Sequence, residues 1–273
     1  MRLPFLIVIL SLVFISTACS DYQKVLKSGD SDLQYEKALD YYNDEDYVKA
    51  IQLLDQLRSS VRGTEKAEEV YYYYAFAHYH NTEYILASYY FKTFVKNFPK
   101  SDKREECLYM AAYCKYKQAP AYYLDQSATR EAINEFRLFA DRYPDSERVS
   151  DAQEHIQELH RRLEKKEYEK ATLYYKMEDW KVAAYAFNVF LDKYPASQHR
   201  EVVLFKILKA RHEYAKKSIE GKQPVRYNEA IQAYQELAAE YPESRFMDEA
   251  EQMYKKSKEK LQSLKENNSI STK

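Results

Sequence analysis

Phe139-Ala-Asp-Arg-Tyr143-Pro144-Asp-Ser146 is one of four copies of a phrase in which a bulky residue precedes an aromatic, proline, any residue and serine. The other copies end in Phe98-Pro99-Lys-Ser101, Tyr194-Pro195-Ala-Ser197 and Tyr241-Pro242-Glu-Ser244. Proline cannot continue a helix and pushes the preceding residue out of the helical region, so each phrase predicts a helix end. The serine is a candidate N-cap for the next helix.

Upstream of each proline, an alanine and two bulky residues recur at positions i, i+4 and i+7. The sets are Ala87-Phe91-Phe94, Ala132-Phe136-Phe139, Ala183-Phe187-Phe190 and Ala230-Tyr234-Leu237, with an earlier copy, Ala50-Leu54-Leu57, that lacks the proline. This spacing places the three residues on one helix face, where the alanine lets a neighbouring helix approach closely. Five copies of helix, polar turn, helix and proline turn predict an all-α, right-handed α-α superhelix, which resembles the tetratricopeptide repeat.

The copies divide the chain into segments. Repeats one to three are expected over residues 31–146, and repeats four and five with a C-terminal capping helix over 147–264. Residues 265–273 are expected to be a disordered tail. The run from about Ser150 to Lys176 contains neither proline nor glycine and predicts one unusually long helix.

Two repeats are longer than the others between their helices. The additional segments are Lys117 to Thr129 in repeat three and Lys216 to Arg226 in repeat five. Such loops often carry partner contacts in repeat proteins, although a tolerated surface insertion is an equally good interpretation.

The composition excludes several classes of function. With 42 basic and 43 acidic residues, the chain has no basic surplus, so we expect no nucleic-acid partner.

Cys107 and Cys114 are seven residues apart on one predicted helix, too far for a disulfide, and are expected to be buried thiols. We find no catalytic motif, and His155 and His160 diverge on a helix. The sequence therefore predicts a protein that is not an enzyme and has no catalytic or metal site.

The N-terminus predicts a bacterial lipoprotein. A short apolar run, Phe5 to Ile15, and the small residues Ser16-Thr17-Ala18 precede Cys19. We expect a signal peptide over residues 1–18, a lipid-anchored tether over 19–30, and a covalent diacylglycerol and N-acyl chain on Cys19, with no other cofactor. An ordinary secretory leader with an incidental cysteine is the alternative.

Tyrosine occurs 29 times, and many tyrosines fall on the inward face of the first helices. Counting back from the alanines predicts a peptide-binding groove lined by Tyr35, Leu39, Tyr42, Tyr72, Phe76, Tyr79, Tyr109, Tyr113 and Tyr116. Tyrosine pairs apolar area with a polar tip and is enriched in recognition surfaces. Lys115 and Arg104 are candidates to receive a carboxylate. The alternative is that these rings pack between helices, although Tyr71, Tyr74, Ala75 and His78 already supply a packing face in repeat two.

Three segments of the sequence indicate a particular family among the repeat proteins. They are Cys19-Ser-Asp-Tyr-Gln-Lys-Val-Leu-Lys, Gly-Thr-Glu-Lys-Ala-Glu-Glu-Val-Tyr-Tyr-Tyr-Tyr-Ala and Met-Ala-Ala-Tyr-Cys. With the five repeats, they resemble the BamD family of outer-membrane assembly lipoproteins over residues 19–262.

The resemblance implies a lipid-anchored protein on the periplasmic face of the outer membrane. Its first repeats would bind C-terminal signals of unfolded outer-membrane barrel proteins, and its last repeats would dock the periplasmic domains of a BamA-like barrel insertase. The alternative is a repeat lipoprotein that acts as a pilotin or a peptidoglycan-associated adaptor in another envelope complex.

Overall fold

A computed structural model describes residues 21–271, with side chains described through residue 266, and all regular elements in that range are helices. In chain order they are α1 (residues 21–27), α2 (Ser31–Asn43), α3 (Tyr47–Ser60), α4 (Lys66–His80), α5 (Tyr84–Asn97), α6 (Arg104–Gln118), α7 (Ser127–Arg142), α8 (Val149–Lys176), α9 (Trp180–Lys193), α10 (Arg200–Lys216), a 3₁₀ turn (Glu220–Lys222), α11 (Gln223–Glu240) and α12 (Met247–Ser271). The predicted all-α class is confirmed. None of the helices in the described range is long and apolar enough to cross a membrane.

The chain divides into two compact units, one through Leu159 and one from His160. In the first unit α2/α3, α4/α5 and α6/α7 are helical hairpins, and each helix packs on the next one in the chain. In the second unit α9, α10, α11 and α12 pack in the same successive manner. The division falls inside α8, whereas the sequence placed the boundary between repeats three and four at residues 146 and 147.

Short turns within the repeats share one backbone conformation. Glu45, Thr82 and Glu178 each occupy the middle of a three-residue turn and have a φ of 60°, 61° and 57°. This left-handed conformation reverses the chain directly after a helix. Asp46 and Asp179 then cap the following helices by accepting the N–H groups of Lys49 and Val182, each at 3.3 Å.

The serine of the proline phrase joins consecutive repeats. Ser101 Oγ accepts the N–H of Lys103 at 3.1 Å and donates to the carboxylate of Glu68, in the first helix of the preceding repeat, at 2.6 Å. The same pair of bonds recurs at Ser146 with Glu105, Ser197 with Glu164, and Ser244 with Glu201. The prediction of a serine N-cap was wrong in position, because α6 begins at Arg104 and the serine caps the turn ahead of it.

The alanine and bulky positions form the core, as their spacing predicted. Ala87, Phe91 and Phe94 on α5 are fully buried, and so are Ala132, Phe136 and Phe139 on α7. Cys107 and Cys114 on α6 are also buried and free, and burial raises the pKa of the Cys114 thiol to about 12. Both thiols are therefore protonated at neutral pH and act as small apolar side chains.

The expected N-terminal tether is a docked helix from residue 21 onward. Tyr22 is buried, meets the Tyr41 ring edge-on at a centroid distance of 5.6 Å, and donates its hydroxyl to Gln52 at 2.5 Å. Val25 and Leu26 pack against the same core. The segment predicted as a tether over 19–30 therefore includes a helix that packs on the first repeat, and its lipid anchoring stays a prediction. Cys19 and the predicted signal peptide lie outside the described residues.

One of the two long helices agrees with its prediction and the other is longer than predicted. The prediction of one helix from about Ser150 to Lys176 is confirmed by α8. The capping helix α12 continues to Ser271, so residues 265–271 are helical where a disordered tail was expected. Residues 272 and 273 lie beyond the described range.

We expect Phe136→Ala to lower the free energy of unfolding of the first unit by about 3–5 kcal/mol, because it leaves a cavity in a closed core. Leu138→Ala, on the same helix at a position 51% exposed, should change it by less than about 0.5 kcal/mol. Urea denaturation followed by tyrosine fluorescence measures both variants. Equal midpoints would contradict the core position of Phe136.

Candidate peptide-binding surface

A glutamate in the first helix of a repeat fixes the register of the predicted groove. These glutamates are Glu68, Glu105, Glu164 and Glu201, the partners of the four serines. Residues 4, 8 and 11 positions after them are Tyr72, Phe76, Tyr79; Tyr109, Tyr113, Tyr116; Tyr168, Thr172, Tyr175; and Phe205, Lys209, His212. The predicted sets of repeats two and three therefore occupy equivalent positions.

Sequence reasoning missed the set of repeat four, which contains Tyr168, Thr172 and Tyr175. Glu105 lies four residues after Ser101, and Glu201 lies four residues after Ser197. Glu164, in contrast, lies eighteen residues after Ser146. The additional residues lie inside the unbroken helix α8 and leave no mark in the sequence. The signal that could have found this set is a glutamate followed by a tyrosine four residues later and an alanine seven residues later. Glu164, Tyr168 and Ala171 have this spacing, as do the corresponding residues of repeats two and three.

The rings of repeats two and three form a continuous row. Ring centroids are 4.6 Å apart for Tyr72 and Phe76, 6.5 Å for Phe76 and Tyr79, 6.3 Å for Tyr79 and Tyr113, and 5.6 Å for Tyr113 and Tyr116. Each of these five side chains is partly exposed. We call them the aromatic row. Its rings hold one another in place and still present area to a ligand.

Tyr109 is buried, although the sequence predicts that it lines the groove. Its side chain is only 7% exposed, with the rings of Phe139 and Phe136 at 5.3 and 5.9 Å and the Arg148 guanidinium 5.3 Å from its own ring centre. The expectation that this ring stays open to solvent was wrong, because α7 and the start of α8 close over it. The other eight predicted residues, including Tyr35, Leu39 and Tyr42, are partly exposed.

Two of the predicted phenols are committed to the fold. Tyr35 donates its hydroxyl to Glu69 at 2.6 Å, and Tyr72 donates to Glu106 at 2.7 Å. Burial and then the adjacent carboxylate raise the pKa of both phenols well above the usual value. These hydroxyls link successive first helices and are already engaged, so only the ring surfaces of Tyr35 and Tyr72 can contribute to binding.

Two histidines extend the aromatic surface beyond the residues predicted from sequence. The His155 ring lies 4.4 Å from Tyr116 and 5.3 Å from Tyr113, and the His80 ring lies 5.7 Å from that of Tyr42. Partial burial lowers the pKa of both imidazoles below the usual value, so both are neutral at pH 7. The sequence indicated only surface or packing roles for the histidines, because ring contacts between helices cannot be inferred from one helix alone.

The cations expected beside the groove have other partners. Lys115 pairs with Glu131 at 2.9 Å, and Arg104 donates to the main-chain carbonyl of Pro99 at 2.8 Å. The Lys103 ammonium instead lies 4.8 Å from the centre of the Tyr72 ring. Lys103 is therefore the cation that borders the aromatic row.

Equivalent positions in repeat five are closed or charged. Phe205 is buried against Phe246 at a centroid distance of 4.5 Å, and His212 is buried and bonded to Ser257 at 2.9 Å. Lys209 pairs with Glu249 at 2.8 Å. The aromatic row thus has no counterpart in repeat five, in agreement with the changed character of its sequence.

This fold defines a helical-repeat protein with a row of partly exposed aromatic rings in its first unit. The YfiO family, described as outer membrane lipoproteins, matches residues 28–220 and 174–266, and the chain belongs to this family.

Two similar proteins are named as outer membrane protein assembly factors. The outer membrane protein assembly factor BamD of Caulobacter vibrioides is 26% identical over 135 residues, covering 50% of this chain and 44% of that protein. The putative outer membrane protein assembly factor BamD of Aquifex aeolicus is 28% identical over 199 residues, covering 70% and 63%. The matches span less than two thirds of either relative. Among solved structures, the TPR2AB domain of yeast Sti1 in complex with pHSP90 has a TM-score of 0.41 and 14% identity, covering 84% of this chain and 98% of that chain.

We expect Tyr72→Phe to lower the free energy of unfolding by about 1.5–3 kcal/mol, because it removes a hydrogen bond to a carboxylate. Tyr89→Phe, at an exposed position in the same unit, is the matched control and should change it by less than about 0.5 kcal/mol. Thermal and urea unfolding of the two variants test this. An unchanged Tyr72→Phe protein would mean that the bond to Glu106 contributes nothing.

Proposed function

We propose that this chain is a non-catalytic, lipid-anchored scaffold on the periplasmic face of the outer membrane, where it assists the assembly of β-barrel proteins. Its first unit binds the C-terminal signals of unfolded barrel proteins, and its second unit docks the periplasmic domains of the barrel insertase. The observation that carries the proposal is the partly exposed aromatic row across α4 and α6. Membership of an outer membrane lipoprotein family and the assembly names of the relatives support it.

The aromatic row suits an extended peptide that ends in an aromatic residue. Tyr79 and Tyr113 belong to different helices, and their rings are 6.3 Å apart, so one ligand side chain can touch both. Aromatic pairs contribute about 0.5–1.5 kcal/mol beyond the area they bury. Lys103 at the end of the row supplies a positive charge for a terminal carboxylate.

The rings of the aromatic row are held in place before a peptide binds. Phe76 packs edge-on against the buried Phe91 at 4.8 Å, which anchors the centre of the row to the core. A surface that is already ordered loses little conformational entropy when a peptide binds. The unfolded client then bears most of the ordering cost, as expected for a receptor of flexible segments.

We expect the double variant Tyr79→Ala/Tyr113→Ala to weaken binding of a barrel-protein C-terminal peptide at least tenfold, because truncation of each central aromatic costs about 1 kcal/mol or more. Tyr89→Ala/Tyr123→Ala removes two exposed tyrosines outside the row and serves as the control. Fluorescence anisotropy with a labelled peptide measures both, and circular dichroism checks folding. Equal affinities for the two double variants would reject the row as the binding surface.

Lipidation at Cys19 is proposed from the sequence motif and is tested separately. Cys19→Ser should abolish fatty-acid labelling and release the protein into the soluble periplasmic fraction. Alanine replacement of Ser20 leaves the cysteine in place and is the control. Membrane association of the Cys19→Ser protein without any label would disprove the lipid anchor.

The competing role, a pilotin or peptidoglycan-associated adaptor, predicts different partners. Cross-linking of the full-length tethered protein followed by purification and mass spectrometry separates the two roles. Recovery of a barrel insertase is the result expected here. Recovery of a secretin or of cell-wall proteins in its place would favour the competing role.

A further inference from the structure

A basic cleft opens on the second unit between α9, α10 and the start of α11. Its volume is about 550 Å³, and the turn that connects α10 to α11 forms one wall. Four cations line it, namely Lys181, Arg211, Lys222 and Arg226, together with a single carboxylate residue, Glu229. The cleft belongs to the second unit and the aromatic row to the first.

The two arginines are held in place by groups that leave their charge uncompensated. The Arg226 guanidinium stacks on the Tyr214 ring at 3.9 Å and donates to the hydroxyl of Ser218. Arg211 donates to the main-chain carbonyl of Glu229 at 3.3 Å. Neutral partners such as a ring, a hydroxyl and a carbonyl fix an arginine without neutralising it.

The cations that line this cleft are not engaged in ion pairs in the part of the chain that the structure describes. Within the described residues, none of the four lining cations has a carboxylate oxygen within 4 Å. Several other cations of the second unit are paired, with Arg200 at 2.7 Å from Glu240, Lys209 at 2.8 Å from Glu249 and Lys217 at 2.8 Å from Glu178. The cleft therefore carries a local positive potential although the whole chain is nearly neutral.

The lining also includes apolar surface that a small anion could not use. Tyr185 is 71% exposed and Val225 is 66% exposed, and both belong to the lining. An aromatic side chain beside arginines is the composition found at the centre of protein interfaces. This favours a polypeptide ligand over phosphate.

The longer turn of repeat five builds the cleft. Three residues connect the two helices of repeats one, two and four, whereas residues 217–222 connect α10 and α11. Ser218 and Lys222 come from this turn, and Arg226 follows in the first turns of α11. The added residues therefore supply charge and a support for Arg226, which a merely tolerated insertion need not do.

We propose that this cleft binds an acidic segment of a partner protein, with carboxylates on Arg211 and Arg226 and an apolar side chain against Tyr185 and Val225. The inference rests on the docking role proposed above for the second unit and assigns that role a place and a ligand chemistry. Lys181 and Lys222, at exposed positions, attract the segment and add contacts to its acidic side chains.

The test uses the purified full-length chain and a fluorescein-labelled peptide in which glutamates and aspartates surround one leucine. Lys181→Gln/Lys222→Gln is expected to weaken binding about tenfold, because two positive charges that face the acidic side chains are lost. Lys256→Gln/Lys260→Gln removes the same charge from exposed positions on α12 and should leave the affinity unchanged. Binding should also weaken as salt rises from about 0.05 to 0.5 M.

Three results would overturn the inference. They are equal affinity of the two double variants for the acidic peptide, equal binding of a peptide with glutamine and asparagine in place of the acids, and full displacement of the peptide by millimolar inorganic phosphate or anionic vesicles. Failure of the docking role gives a different pattern. Peptide binding without insertase recovery would reject the docking role alone, and insertase recovery without peptide binding would reject the cleft alone.

Discussion

The hydrogen bond from a turn serine to a glutamate of the preceding repeat is the constraint on which the structure depends. It occurs at all four proline phrases, and the same serine also caps the turn that leads into the next helix. Because a charged acceptor strengthens the bond, each turn is fixed against the repeat before it. The glutamate in turn sets the register of its helix, so that residues four, eight and eleven positions later share one face. The fold and the aromatic row therefore depend on the same contact.

Most of the fold follows from local rules in the sequence. The proline phrases end helices, the anchors around Ala132 and Phe136 form the core, and the unbroken run to Lys176 forms one helix. Parts of the candidate site do not follow. Tyr109 is buried by Phe139 and Arg148, which are some 30 to 40 residues away in sequence, and no periodicity within α6 reveals that. The register of repeat four was hidden because α8 has no internal break.

Side chains at equivalent helical positions make different contacts in the two units. In the first unit these positions keep rings partly exposed and in contact with one another. In the second unit, Lys206 donates to the hydroxyl of Tyr168 at 2.9 Å and the ring of His199 stacks on that of Tyr168 at 4.1 Å, so this ring is engaged by residues of its own unit. The cleft beside α9 and α11 carries four further cations of that unit. One repeat scaffold thus offers two chemically distinct surfaces, one aromatic and one basic.

The docked position of Tyr22 restricts the geometry of membrane attachment. Tyr22 is fixed against Tyr41 and Gln52 of the first repeat and stands three residues after Cys19. Three residues span at most about 11 Å when fully extended. Acyl chains on Cys19 would accordingly hold the first repeat at the level of the lipid headgroups, and leave it little freedom to swing away from the leaflet.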